Sequence, residues 1–164
     1  ETDTNATLHS STGAIINVQG TLKIRASTGG SGWNYPNRLS GTGTVQILGP
    51  NGSNGLGLYL DNSGFTGTTL IDAGAVLYIG NANNALATLT PTVSGKIINN
   101  GTLVFNQSGT YTLSNEIQNS GILRTNNGSG PNITLIGVLT HSGDINLAGG
   151  SLHVECVLKT RSIM

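Results

Sequence analysis

Charge is scarce in this chain: seven basic and seven acidic residues among 164, 9% in all, balancing to zero. A nucleic-acid surface needs clustered Lys and Arg with interleaved aromatics, and aromatics make up only 4% of the sequence, which excludes nucleic acid as a partner. The single cysteine, Cys156, permits no internal disulfide and removes cysteine-rich metal sites. In the apolar stretch Val154-Glu155-Cys156-Val157-Leu158 it reads as a small buried residue. No apolar run approaches the ~20 residues of a membrane-spanning helix, so no membrane insertion is expected of this segment. No charged-then-apolar leader opens it. Disorder is excluded from the other direction, because a disordered chain is poorer in Ile, Leu and Val, or richer in charge and proline.

What the chain does hold is glycine, 25 residues of it, with many Asn and Thr, set in a repeat. Six times an aliphatic residue is followed at a fixed distance by glycine and then by a short alternating strand. The copies are Ile16 with Gly20-Thr21-Leu22-Lys23-Ile24, Leu39 with Gly43-Thr44-Val45-Gln46-Ile47, and Leu70 with Gly74-Ala75-Val76-Leu77-Tyr78. Then come Ile97 with Gly101-Thr102-Leu103-Val104-Phe105, Ile117 with Gly121-Ile122-Leu123-Arg124-Thr125, and Leu139 with Gly143-Asp144-Ile145-Asn146-Leu147. Their glycines lie 20 to 31 residues apart, the length of one supersecondary unit.

Within each copy apolar residues alternate with polar ones, the period-2 signature of a strand with one buried face, and no window carries a helical period. The glycine marks a corner, which requires a positive φ or a close approach to the next unit. About twenty residues cannot bury their own apolar stripe, so the units must stack. The expected fold is therefore all-β, a right-handed single-stranded parallel β-helix, with each strand pairing to its equivalent one turn later. Leu22, Ile24, Val45, Ile47, Leu103, Phe105, Leu123, Ile145 and Leu147 are expected in one elongated core, each in the same place of its rung.

Two stretches carry a family likeness. Ser40-Gly41-Thr42-Gly43-Thr44-Val45-Gln46-Ile47 with Ser63-Gly64-Phe65-Thr66-Gly67-Thr68-Thr69-Leu70-Ile71-Asp72-Ala73-Gly74 is one, and Lys96-Ile97-Ile98-Asn99-Asn100-Gly101-Thr102-Leu103-Val104-Phe105-Asn106 with Tyr111-Thr112-Leu113-Ser114 is the other. Together, over residues 40 to about 136, they resemble the passenger-associated strand repeats of bacterial autotransporters. The resemblance implies type V export, an extracellular location at a bacterial cell surface or in secreted form, and a parent chain joined to an outer-membrane β-barrel. The chain departs from the family pattern in three places, one of them the C-terminal stretch Val157-Leu158-Lys159-Thr160-Arg161-Ser162-Ile163-Met164, which resembles neither the repeat nor a barrel strand. Gly49-Pro50-Asn51-Gly52-Ser53-Asn54-Gly55 is an insertion, and Leu56, Leu58 and Leu60 behind it read as an extra alternating strand. The strand at Ala75–Ile79 has one residue too many, which makes Leu77 and Ile79 the inward pair in place of Val76 and Tyr78. The division expected is a β-helix segment over 1–153 with about six repeats and a non-repeat tail over 154–164, without a translocator barrel.

Catalytic chemistry finds little support. β-Helical polysaccharide enzymes cluster carboxylates on one strand face, whereas Glu1, Asp3, Asp61, Asp72, Glu116, Asp144 and Glu155 are spread along the sequence. Asp61 and Asp72 are the acids that stacking would most readily bring together, although Asp72, just before Ala73-Gly74, reads as a turn residue capping its own backbone. His9, His141 and His153 show no metal-ligand spacing, and alternation sends His153 outward. No catalytic residue, metal site or cofactor is assigned.

One segment breaks the monotony. Thr28-Gly29-Gly30-Ser31-Gly32-Trp33-Asn34-Tyr35-Pro36-Asn37-Arg38 holds the only Trp, and loops on a rigid scaffold are where binding resides. Trp33, Tyr35 and Arg38 are the candidate binding residues, the rings for stacking on sugars or a protein and the guanidinium for an anionic group. The alternative is that Trp33 covers the first rung. The expectation is a non-catalytic stalk or adhesin that contacts host or matrix glycans, surface proteins or copies of itself. The alternatives are a polysaccharide-active lyase or glycosidase and an ice-binding solenoid, the latter suggested by Thr42/Thr44 and Thr110/Thr112.

Overall fold

The computed structural model describes residues 13–25, 33–50, 55–80, 95–107, 109–125, 132–155 and 158–160, with Trp33 and residues 158–160 described for their backbone only. The described residues are all-β, without a helix. They stack as a parallel β-solenoid of three faces. Face I holds seven strands in chain order: β2 (Thr21–Ile24), β5 (Thr44–Ile47), β7 (Thr68–Ile71), β9 (Lys96–Asn99), β12 (Glu116–Asn119), β15 (Leu139–His141) and β18 (Leu158–Thr160). Face II holds β3 (Trp33–Asn34), β6 (Leu56–Leu58), β8 (Val76–Ile79), β10 (Thr102–Phe105), β13 (Ile122–Thr125) and β16 (Asp144–Leu147). Face III is formed by β1 (Ile15–Asn17) with β4 (Arg38–Ser40) near one end, and by β11 (Thr110–Leu113), β14 (Asn132–Leu135) and β17 (Ser151–Val154) near the other. Between these two groups Gly41 bridges to Phe65, and Asn62 turns its side-chain Oδ1 inward to accept from the Leu39 N–H at 2.8 Å.

Every strand pair is parallel and each strand meets its equivalent one rung on, so side chains fall into columns. The inward columns of face I are Leu22, Val45, Thr69, Ile97, Ile117, Leu139 and Ile24, Ile47, Ile71, Asn99, Asn119, His141. Face II adds Leu56, Leu77, Leu103, Leu123, Ile145 and Leu58, Ile79, Phe105, Thr125, Leu147. Apart from their polar members and from Ile145 and Leu147, these columns make one continuous apolar core with Leu113, Ile133 and Leu135 from face III. Burial of these aliphatic and aromatic groups, at ~1.5–3 kcal/mol each, is the principal stabilising term. As expected from the extra residue there, Leu77 and Ile79 point inward and Val76 and Tyr78 do not.

The repeat proves to straddle two different corners. In its first two copies the aliphatic residue and the strand after glycine lie on faces III and I; in the last four they lie on faces I and II. Leu22, Ile24, Val45 and Ile47 therefore do not share a place in the rung with Leu103, Phe105 and Leu123, although all belong to the same core. A three-faced solenoid turns the chain by the same local geometry more than once per rung, and one motif serves both turns. In the third copy Leu70 faces outward, with Thr69 and Ile71 buried on either side. The corner that follows, Asp72 to Ala75, is a tight turn closed by Ala75 N–H to Asp72 C=O at 2.9 Å, with Gly74 at φ 74°. Leu56 and Leu58 form β6, the regular face II strand of the second rung, and Leu60 lies beyond its end.

Ile145 and Leu147 stand in the inward columns but are 41% and 48% exposed. The chain goes on to add β17 to face III and β18 to face I, while β16 is the terminal strand of face II among the described residues. Among the described residues no strand covers these two side chains. The stretch from residue 154 supplies Val154 to β17 and all of β18, so the tail adds strands to the stack.

Most corner glycines are required by close approach. A Cβ on Gly43 would overlap the carbonyl oxygen of Gly20; one on Gly67 that of Gly43, and one on Gly95 that of Gly67. The second corner repeats the pattern through Gly101, Gly121 and Gly143, which stand over the carbonyls of Ala75, Gly101 and Gly121. Those carbonyls accept from the first strand residue of the next rung: the Thr102 N–H donates to Ala75, the Ile122 N–H to Gly101 and the Asp144 N–H to Gly121, at 2.8 to 2.9 Å.

Candidate binding surface

The segment from Trp33 to Arg38 is drawn into the solenoid. Trp33 and Asn34 form β3, and the backbone of Trp33 pairs with Leu56 at the head of the leucine column of face II. The residues before it, including Thr28 to Gly32, lie outside the described part. Tyr35 is 3% exposed and joins the core. Burial raises the pKa of its hydroxyl, an effect partly offset by an interaction with the Asn37 side chain. Arg38 lies in β4 beside Ile15, half-buried, with its Nε shielded and without a hydrogen-bond partner. Of the three residues expected to converge on a ligand, Tyr35 faces the interior and Arg38 belongs to a strand of face III.

The acids do not gather either. Asp61 accepts from the Ser63 N–H at 2.9 Å in a turn beside face III. Asp72 lies at the corner between faces I and II, where both carboxylate oxygens accept from Gln46 Nε2, at 3.0 and 3.1 Å. Its side chain is thus held by a neighbouring rung. Glu116 pairs with Lys96 at 3.3 Å, both side chains well exposed, and Glu155 lies 3.3 Å from His153. His153 points outward as alternation requires. Among the described residues no three of His, Cys, Asp and Glu come together as metal ligands. Glu1, Asp3, His9 and Cys156 lie outside the described residues.

His141 closes an internal amide ladder. Asn99 Nδ2 donates to Asn119 Oδ1 at 2.5 Å, and Asn119 Nδ2 lies 3.0 Å from His141 Nδ1. Asn99 Oδ1 accepts from the Gly101 N–H, and Asn119 Nδ2 also donates to the Gly121 carbonyl. Both asparagines are buried, so this ladder is part of the corner and not of the surface.

The threonines supply the outward counterpart. On face I the outer columns are Thr21, Thr44, Thr68, Lys96, Glu116 and Lys23, Gln46, Leu70, Ile98, Gln118, Thr140. They form a continuous outer surface six rungs long with rungs spaced ~4.8 Å apart. One side is a threonine rank that ends in the Lys96–Glu116 ion pair. The other is a glutamine-flanked aliphatic strip in which Leu70 and Ile98 are half-buried. The three-rung rank is broken by charge at Lys96, and on face III Thr110 and Thr112 are followed in register by Asn132 and Thr134, then Ser151 and His153. The sequence holds the outward alternation of each strand, but aligning the strands into columns requires knowing which of two corners each glycine serves.

Searches for a matching family model, a similar curated protein and a similar solved structure each found no match to this chain.

Proposed function

We propose that this chain is a rigid, non-catalytic β-solenoid segment of the autotransporter-passenger kind, displayed outside a bacterial cell as a stalk or adhesin. The observation that carries the reading is the outer surface of face I, where one column runs through six successive rungs and a second beside it through five. A surface that repeats every ~4.8 Å suits many weak contacts to a polymeric partner such as a host or matrix glycan, whose avidity exceeds any single contact. Leu70 and Ile98 give it an apolar strip, and Gln46, Gln118 and Thr140 give donors and acceptors along that strip. The low, balanced charge fits attachment that does not depend on salt.

The test is binding of the chain to immobilised glycans and extracellular-matrix preparations at two salt concentrations. Expected is retention that survives high salt, is lost in the double variant Leu70→Lys and Ile98→Lys, and persists when Trp33 and Arg38 are both changed to Ala. Loss of binding in the Trp33/Arg38 variant, with face I changes harmless, would transfer the contact to the end of the solenoid. Turnover of a polysaccharide substrate abolished by Asp72→Ala would replace the reading with an enzymatic one.

A further inference from the structure

The two glutamines that bracket the apolar strip of face I have their amides oriented by neighbouring carboxylates. Gln46, Leu70, Ile98 and Gln118 follow one another in register on four successive rungs. A carboxylate only accepts, so the atom of each amide that faces one must be the nitrogen. Gln46 donates from Nε2 to both oxygens of Asp72, at 3.0 and 3.1 Å, and Gln118 donates from Nε2 to Glu116 Oε1 at 3.1 Å. Among the described residues nothing donates to Oε1 of either glutamine. Each Oε1 is thus left as an acceptor, one on either side of the half-buried pair Leu70 and Ile98.

This order of groups specifies a ligand. It must carry hydrogen-bond donors at two points three rungs apart, ~14 Å at ~4.8 Å per rung, with apolar surface between them. It must also be uncharged along that span. Asp72 and Glu116 stand beside the two acceptors, so an acidic group on the ligand would meet acceptor oxygens and negative charge together. Lys96 is paired with Glu116 at 3.3 Å, and Lys23 lies one rung beyond Gln46, outside the span. An extended chain of β-1,4-linked glucose meets these terms. Its rise per sugar is close to one rung, and its hydroxyls are donors. Because every ring substituent is equatorial, both ring faces expose C–H groups, and the half-turn between successive sugars keeps an apolar face on the protein.

We infer that face I takes an uncharged β-1,4-linked glucan laid along the solenoid axis, its ring faces on Leu70 and Ile98 and its hydroxyls donating to Oε1 of Gln46 and Gln118. Four sugars span the site. The inference rests on the reading of face I as the contact surface and names the ligand of that surface.

Titration calorimetry with cello-oligosaccharides of two, four and six sugars measures the length of the site. Affinity should rise at least about tenfold from two sugars to four, as the second acceptor and the second apolar contact are gained, and less than about threefold from four to six. Gln46→Ala and Gln118→Ala should each weaken the four-sugar chain about fivefold, the loss of one hydrogen bond. Both variants should melt within about 2 °C of the parent, since each changes only an outward side chain. Maltotetraose, whose α-1,4 links curve the chain off the surface, and tetragalacturonate, with a carboxylate on every ring, should bind at least about tenfold more weakly than cellotetraose. Affinity that does not grow from two sugars to four, equal or tighter binding of either comparison sugar, or no binding of any cello-oligosaccharide overturns the inference. The double variant Leu70→Lys and Ile98→Lys then separates it from the reading beneath it. If that variant still abolishes retention on the matrix preparations, face I is the contact surface for a different ligand; if retention is unchanged, the reading of face I falls as well.

Discussion

Asn99 donates from Nδ2 to Asn119 Oδ1 at 2.5 Å, one rung apart in the same column, and the pair seals the corner between faces I and II from inside. Both amides are buried, 0% and 2% exposed, so a missing partner cannot be replaced by bulk water. Above them the column is Ile24, Ile47, Ile71, and the next member below them is His141.

Asn119→Ala should therefore destabilise the fold by ~2–3 kcal/mol, combining a lost acceptor for Asn99 with a small cavity. Urea unfolding measures it. A double-mutant cycle with Asn99→Ala should return a coupling of ~1 kcal/mol, and additive effects would mean that the two amides do not cooperate.

The two corner columns give a sharper contrast between glycines. Gly121→Ala places a methyl group against the Gly101 carbonyl, and the backbone must shift to admit it. A loss of ~2 kcal/mol or more is expected. Gly20→Ala, identical in chemistry, should change stability by less than ~0.5 kcal/mol, because its Cβ enters open space. Comparable melting curves for the two variants would contradict the stacking of Gly121 over Gly101.

Tyr111 sets an alkaline limit. Its hydroxyl is buried without a hydrogen-bond partner, its ring packs 6.4 Å from that of Phe105, and desolvation raises its pKa well above the phenol value. A raised folded-state pKa means that the folded chain holds this proton more tightly than the unfolded one. The resulting stability is complete below the unfolded value of about 10 and is lost as pH rises beyond it. Tyr111→Phe should be neutral or stabilising by up to ~1 kcal/mol at pH 7, and should flatten the fall in stability above pH 10. A marked loss at pH 7 would reveal a partner for the hydroxyl.

Leu103 lies at the centre of the core and is 0% exposed. Leu103→Asp buries an unpaired charge at a cost of several kcal/mol and should abolish the cooperative β-sheet transition seen by circular dichroism. A parent-like melt would place this side chain at the surface.

Much of this architecture was legible in the residues. Alternation in Val45 and Ile47, Leu103 and Phe105, or Leu123 identified inward side chains, and the spacing of the glycines identified a solenoid, because both follow from strand geometry that acts within a few residues. What was not legible is long-range. Nothing near Gly43 says that its corner joins faces III and I while Gly101 joins faces I and II. The buried pair Asn99 and Asn119 looks like any polar turn until stacking aligns it. Ile145 repeats the pattern of Leu123, yet its exposure follows from face II having no strand after β16 among the described residues. For the binding surface the same limit applied. Trp33, Tyr35 and Arg38 stood out by residue type, whereas Gln46, Leu70, Ile98 and Gln118 become one surface only through the register between rungs.

That register is the central claim, and distances between spin labels test it most directly. With one label at Lys23 and the second moved in turn to Leu70, Ile98, Gln118 and Thr140, all on the outer column of face I, the separation should grow by ~4.8 Å per rung. The last pair should therefore lie ~24 Å apart although 117 residues separate them in the sequence. Distances that rise evenly with rung number would establish the stacked face. Distances that fail to increase in that order, or that collapse to one value as in a closed antiparallel sandwich, would contradict it.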